Sequence, residues 1–141
     1  MPYSAASPVS VAVFALLQDA TLLAALPGGW HDDVPQNPTY PFGWYEIARE
    51  DDSLRGFGAG GLPSIELRTH IFSKYGGLKE AQEANRLAIG VLKDAALGTV
   101  TGYQQAGHVF YDETVTLPDE DLNGVKVHEV VSFFRIFVEQ A

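Results

Sequence analysis

The stretch SIELRTHIFSKYGGLKEAQEANRLAIGVLKDAAL, residues 64–97, changes its hydrophobic period once, and that change decides the fold. Its first ten residues alternate. Ile65, Leu67, Thr69 and Ile71 share one side, and Glu66, Arg68, His70 and Phe72 share the other, which is the period of a strand with one buried face. Tyr75-Gly76-Gly77 interrupts the alternation. Beyond it Leu78, Ala81, Asn85, Ala88, Ile89, Leu92 and Ala96 recur at helical spacing, so the chain passes from sheet to amphipathic helix, with Gly98 as its expected C-cap.

Working outward, Ser7-Pro8 reads as a helix start, with Ser as N-cap and Pro in the first turn, followed by an apolar stripe of Val9, Ala12, Val13, Leu16 and Leu17. Asp19 is placed to cap a further short turn that ends at Pro27-Gly28-Gly29. Residues 30–34 form a short edge strand. The prolines at 35, 38 and 41 exclude regular structure between it and the next strand, residues 42–49, in which Phe42, Trp44, Glu46 and Ala48 oppose Gly43, Tyr45 and Ile47. Both faces of that strand carry aromatic residues, so both are predicted to be covered.

Residues 50–63, EDDSLRGFGAGGLP, hold four glycines, three acids and a proline. A connection of that length and composition is predicted to be a mobile loop, and Leu54, Arg55 and Phe57 are its side chains best suited to contact. Residues 99–107 read as a second loop, 108–117 as a strand and 118–124 as an acidic turn ending in Asn123-Gly124. Residues 126–138 are the most apolar strand, with Val127, Val131, Phe133 and Phe137 opposing Val130, Phe134, Ile136 and Val138. The order helix, three strands, helix, two strands (α-β-β-β-α-β-β) predicts an α+β fold: a mostly antiparallel sheet of four to five strands with two helices on one face, in a single domain spanning residues 1–141. The other, aromatic face predicts oligomerisation.

Composition narrows function. Eighteen acidic against nine basic residues give a net charge of −9, with no basic run, which argues against specific nucleic-acid binding and against anionic membranes. The absence of cysteine excludes disulfides, zinc-thiolate sites and thiol catalysis. The apolar N-terminus has no Lys or Arg before Arg49 and reads as part of the fold rather than a signal peptide. No segment is long enough to span a bilayer.

The residues capable of chemistry do not assemble into a motif. His31-Asp32-Asp33 is the most metal-like string, but a site needs three or four converging ligands. His108 and His128 lie on strands that can pair. Asp112-Glu113 and Asp119-Glu120-Asp121 supply carboxylates in solvated settings. No G-x-S-x-G elbow is present, and Gly58-Ala59-Gly60-Gly61 is followed by no Walker lysine. On the second helix Lys79 and Glu83 stand at i,i+4 spacing, a pair that supports a helix and implies no site. The expectation is a protein without catalytic residues, metal or cofactor.

The segment Thr69-His70-Ile71-Phe72-Ser73-Lys74-Tyr75-Gly76-Gly77-Leu78-Lys79-Glu80-Ala81 resembles the strand-turn-helix signature of the phage tail-completion proteins, also called tail terminator or neck proteins. Phe72 stands where a tryptophan is frequent in that family. The likeness extends in order over the N-terminal helix before Gly28-Gly29, the proline-rich approach to Tyr45, and the closing strand Val131-Ser132-Phe133-Phe134-Arg135-Ile136-Phe137. It implies a virion structural protein that forms a ring, typically six-fold, on the tail tube, stops tube growth and meets the head connector. Its partners would be further copies of itself, the tail tube protein and connector proteins. An acidic body suits a channel that DNA must traverse without adhering. Under this resemblance residues 50–63 become the docking loop, with Asp51, Asp52, Leu54, Arg55 and Phe57 at the interface. The competing expectation is a small ligand- or peptide-binding module that uses the aromatic face with His108 and His128.

Overall fold

The computed structural model describes residues 5–51, 64–75, 77–98, 100–105 and 108–140. Helices α1 (Ala6–Leu17) and α2 (Ala20–Ala25) precede strands β1 (Trp30–His31), β2 (Phe42–Asp51) and β3 (Ser64–Ser73). Helix α3 (Lys79–Leu92) follows, then β4 (Tyr103–Gln105), β5 (Phe110–Leu122) and β6 (Val125–Gln140). One edge of β6 pairs with β3, and the other pairs first with β5 and then with β4.

The period-two stretch forms β3 at the centre of the sheet. Tyr45, Thr69 and Ser132 lie in one row across β2, β3 and β6, and this row faces the helices. Ile65, Leu67 and Ile71 are fully buried there with Phe134 and Ile136, against Val9, Val13 and Leu17 of α1 and Leu22 of α2. Helix α3 presents Ala81, Ala84 and Ala88, whose short side chains admit a close approach to the sheet. Its buried Asn85 is held by polar contacts. Ser132 Oγ donates to Asn85 Oδ1 at 2.6 Å, and Thr114 Oγ1 lies 2.8 Å from Ser132 Oγ, so helix, β5 and β6 meet at one hydrogen-bonded point.

Several sequence-based expectations are corrected. The sheet is mixed and six-stranded rather than mostly antiparallel with four to five strands, because Trp30-His31 adds to β2 in parallel and Tyr103–Gln105 adds a short strand to the end of β6. Among the described residues there are three helices rather than two, since the turn after Asp19 is a true helix with Leu22 N–H donating to Asp19 Oδ2 at 3.1 Å. The strand at residues 30–34 ends at His31. Ser7 is not the N-cap. Helix α1 begins at Ala6 with Ala5 at the N-cap position, where no side chain caps the first turn, and the Ala5 N–H itself donates to Glu50 Oε2 at 2.8 Å, a tie to β2. Helix α3 stops at Leu92, well before Gly98, where Lys93 turns extended and Asp94 takes a positive φ of 61°. Glu83 pairs with Arg86 through two hydrogen bonds, of 2.6 and 3.0 Å, rather than with Lys79. The acidic segment 118–122 is strand rather than turn, and only Asn123-Gly124, both at positive φ, make the reversal.

Candidate assembly surface

The sheet face turned away from the helices is built from the opposite parity of the same strands. Its rows run Phe42–Phe72–Glu129, Trp44–His70–Val131 and Glu46–Arg68–Phe133 across β2, β3 and β6. Strand β5 extends all three, with Leu117 beside Glu129, Val115 beside Val131 and Glu113 beside Phe133. Phe42 and Phe72 stack at 4.8 Å, and the Arg68 guanidinium lies over Phe133 at 5.3 Å.

His70 ties the face together. Its Nδ1 is 2.8 Å from Glu129 Oε2, its Nε2 is 2.7 Å from Glu46 Oε2, and its ring stacks on Trp44 at 4.3 Å. Each ring nitrogen thus meets a carboxylate oxygen, one from β2 and one from β6. Arg68 bonds Glu66 at 3.2 Å, and Arg49 bonds Asp51 at 2.8 Å. The indole Nε1 of Trp44 and the Nε of Arg68 are buried donors with no acceptor among the described residues. The face thus mixes aromatic area with paired charge.

At one end of the face the β5–β6 hairpin projects. Glu120–Leu122 and Val125–Val127 pair only with each other, since the ladder of β3 with β6 reaches no farther than Ser73 opposite His128. Leu122 and Val125 flank the turn and are both exposed. The arm thus carries an apolar tip on acidic sides.

Of the loop residues singled out from sequence, Asp51 is the last residue of β2, opposite Ser64, and its carboxylate accepts the Arg49 hydrogen bond. Glu50 likewise belongs to β2 rather than to a loop. Asp52, Leu54, Arg55 and Phe57 lie outside the described residues. His31 Nε2 donates to Gly28 O at 2.7 Å, and Asp33 Oδ1 accepts from Val34 N–H at 2.9 Å. His128 Nδ1 contacts Asp119 Oδ1 at 2.7 Å, whereas His108 is exposed before the start of β5, so the two histidines are not neighbours. Ser73, opposite His128, donates its hydroxyl to Glu80 at 2.8 Å and accepts the Tyr75 N–H. Among the described residues no three His, Cys, Asp or Glu side chains converge as metal ligands, and no helix is long and apolar enough to cross a membrane.

Sequence reasoning missed the Glu46–His70–Glu129 tie. Its only signal was parity, since Glu46 and His70 each fall on the face opposite the core positions of their strands.

No family model matches the sequence, and neither does any curated protein. Among the solved structures that match is a chain from one described as the virion of native gene transfer agent particle. The two share 19% sequence identity with a TM-score of 0.75, over 98% of this chain and 99% of that chain. At that identity the likeness is one of fold: the α+β arrangement of helices on one side of a curled sheet is common to both.

Proposed function

We propose that this protein is a structural component of a phage-like particle, acting at the end of the tail. The observation that carries the reading is the fold shared with a gene transfer agent virion chain over nearly the full length of both. The helix-free face, with its aromatic rows and paired charges, supports the same reading, because a face of that kind is suited to contact with other proteins.

In this reading copies of the chain form a ring, six-fold by the resemblance noted above, that closes the tail tube and joins it to the head connector. The connection after Asp51, the last residue of β2, supplies a docking loop in which Asp52, Leu54, Arg55 and Phe57 join Asp51 at the interface. The net charge of −9 keeps the ring from binding the DNA that passes it. Electron microscopy of particles made without the protein tests this directly. Overlong tails, or heads and tails left unjoined, are the expected result, and normal virions would overturn it. A strict monomer that binds a metabolite would instead support the small binding module.

A further inference from the structure

The chain holds three asparagines, Asn37, Asn85 and Asn123. An asparagine loses its side-chain amide when the backbone nitrogen of the next residue attacks its Cγ, so the reaction needs a following N–H, room around it and a backbone able to bend. Asn37 precedes Pro38, which has no N–H to lose. Asn85 lies inside α3, is 5% accessible and has its Oδ1 bonded by Ser132, and the amide that follows it belongs to the helix ladder. Asn123 is followed by Gly124, and both are exposed at the tip of the β5–β6 arm.

Gly124 brings no side chain, and a Cβ there would meet nothing within 4 Å, so neither its nitrogen nor an incoming water is screened. The closed turn opposes the reaction. Asn123 and Gly124 take φ of 55° and 81°, and the Gly124 N–H donates to Asp121 Oδ1 at 2.8 Å. The nitrogen that must become the nucleophile is therefore committed as a donor, to a carboxylate whose negative charge opposes loss of its proton. Leu122 pairs with Val125 and Asp121 with Lys126, and no third strand among the described residues backs these pairs. A two-stranded hairpin is marginal by itself, so the tip opens more readily than the sheet.

We propose that Asn123 is a self-modification site whose rate is set by Asp121. In the opened tip the Gly124 nitrogen, having lost its proton to solvent base, forms a bond to Asn123 Cγ, and the Cγ–Nδ2 bond breaks with release of ammonia. Water then reopens the cyclic imide. Breaking the new bond leaves aspartate, and breaking the original peptide bond leaves isoaspartate, in which the main chain runs through Cβ and Cγ. No oxidant or cofactor enters. Either product puts a negative charge between Leu122 and Val125, which are 47% and 42% accessible, on a chain already at −9. Isoaspartate also lengthens a two-residue reversal by one main-chain carbon, which the paired strands on either side absorb only by a shift of register. Asp121 thus guards the apolar tip, whatever the tip contacts.

The test is incubation of the intact chain at mildly alkaline pH, followed by peptide mapping with mass spectrometry and chromatographic separation of aspartyl from isoaspartyl products. Conversion is expected at Asn123 and not at Asn37 or Asn85, and more slowly than in the peptide acetyl-Asp-Leu-Asn-Gly-Val-Lys-amide, which has no strands to close its turn. Asp121 is exposed, so Asp121→Ala leaves the fold intact, and it should raise the rate at Asn123 about two- to tenfold, the factor for one hydrogen bond lost. Asp121→Asn keeps an acceptor and should restore part of the protection. Earlier conversion at Asn37 or Asn85, no conversion at Asn123 while the peptide converts fully, a rate equal to that of the peptide, or equal rates in the parent and Asp121→Ala would each overturn the proposal. Asp121→Asn as fast as Asp121→Ala would overturn the hydrogen bond as the guard.

Discussion

Thr69 is the residue at which burial and hydrogen bonding disagree most plainly. It sits on the helix-facing side of β3 with no accessible surface, between Tyr45 and Ser132, and its hydroxyl has no partner among the described residues. The neighbouring Ser132 is equally buried but bonds Asn85. Thr69→Val should therefore stabilise the protein by about 1 kcal/mol, because a methyl in the same space needs no acceptor. Urea denaturation should show a higher midpoint at unchanged slope, and a lower midpoint would mean that the hydroxyl is paired after all. Gly43 presents the opposite case. A Cβ there would lie 2.4 Å from Cε3 of Trp30, well inside contact distance, and the indole is locked in the core. Gly43→Ala should destabilise by about 1–3 kcal/mol through overpacking, read as a lowered thermal midpoint.

At the scale of elements, the attachment of α3 to the sheet rests on small apolar side chains and one polar point. Asn85→Ala removes the acceptor of a fully buried Ser132 hydroxyl whose other partner is Thr114, so a loss of about 1–3 kcal/mol is expected, while Asn85→Ala combined with Ser132→Ala should recover part of it. A double-mutant cycle by chemical denaturation measures this, and simple additivity would show that the two groups are not coupled. The sequence made β3, β6 and the body of α3 legible because their periods are long and unbroken. Other elements depend on contacts that a period does not encode. Strand β4 has three residues, too few to show alternation. Strand β5 runs through Pro118, which reads as a stop, because the register slips between Leu117 and Glu120 and a proline within a bulge on an edge strand disturbs no ladder. The Ala5 N–H at the start of α1 is held by Glu50, 45 residues away. The same limit applies to the candidate surface. Glu46 and Glu129 reach His70 from 24 and 59 residues away.

For the whole molecule the dominant quantity is charge. Each copy carries a net −9, and among the described residues Arg49, Arg68 and Arg135 each have a carboxylate within 4 Å, so these three arginines are already partnered within one copy. A ring of such chains would be held by apolar and aromatic area, as on the helix-free face and the hairpin tip, against long-range repulsion. Salt shortens that repulsion, with a Debye length of about 30 Å at 0.01 M and about 3 Å at 1 M, and leaves apolar burial intact. Self-association of the isolated protein should accordingly strengthen as ionic strength rises from about 0.01 M to about 0.5 M, measured by sedimentation velocity or light scattering at fixed protein concentration. Weaker association at high salt would mean that ion pairs across the interface dominate, which would turn attention from the aromatic rows to Arg49, Glu66 and Arg135, side by side across β2, β3 and β6.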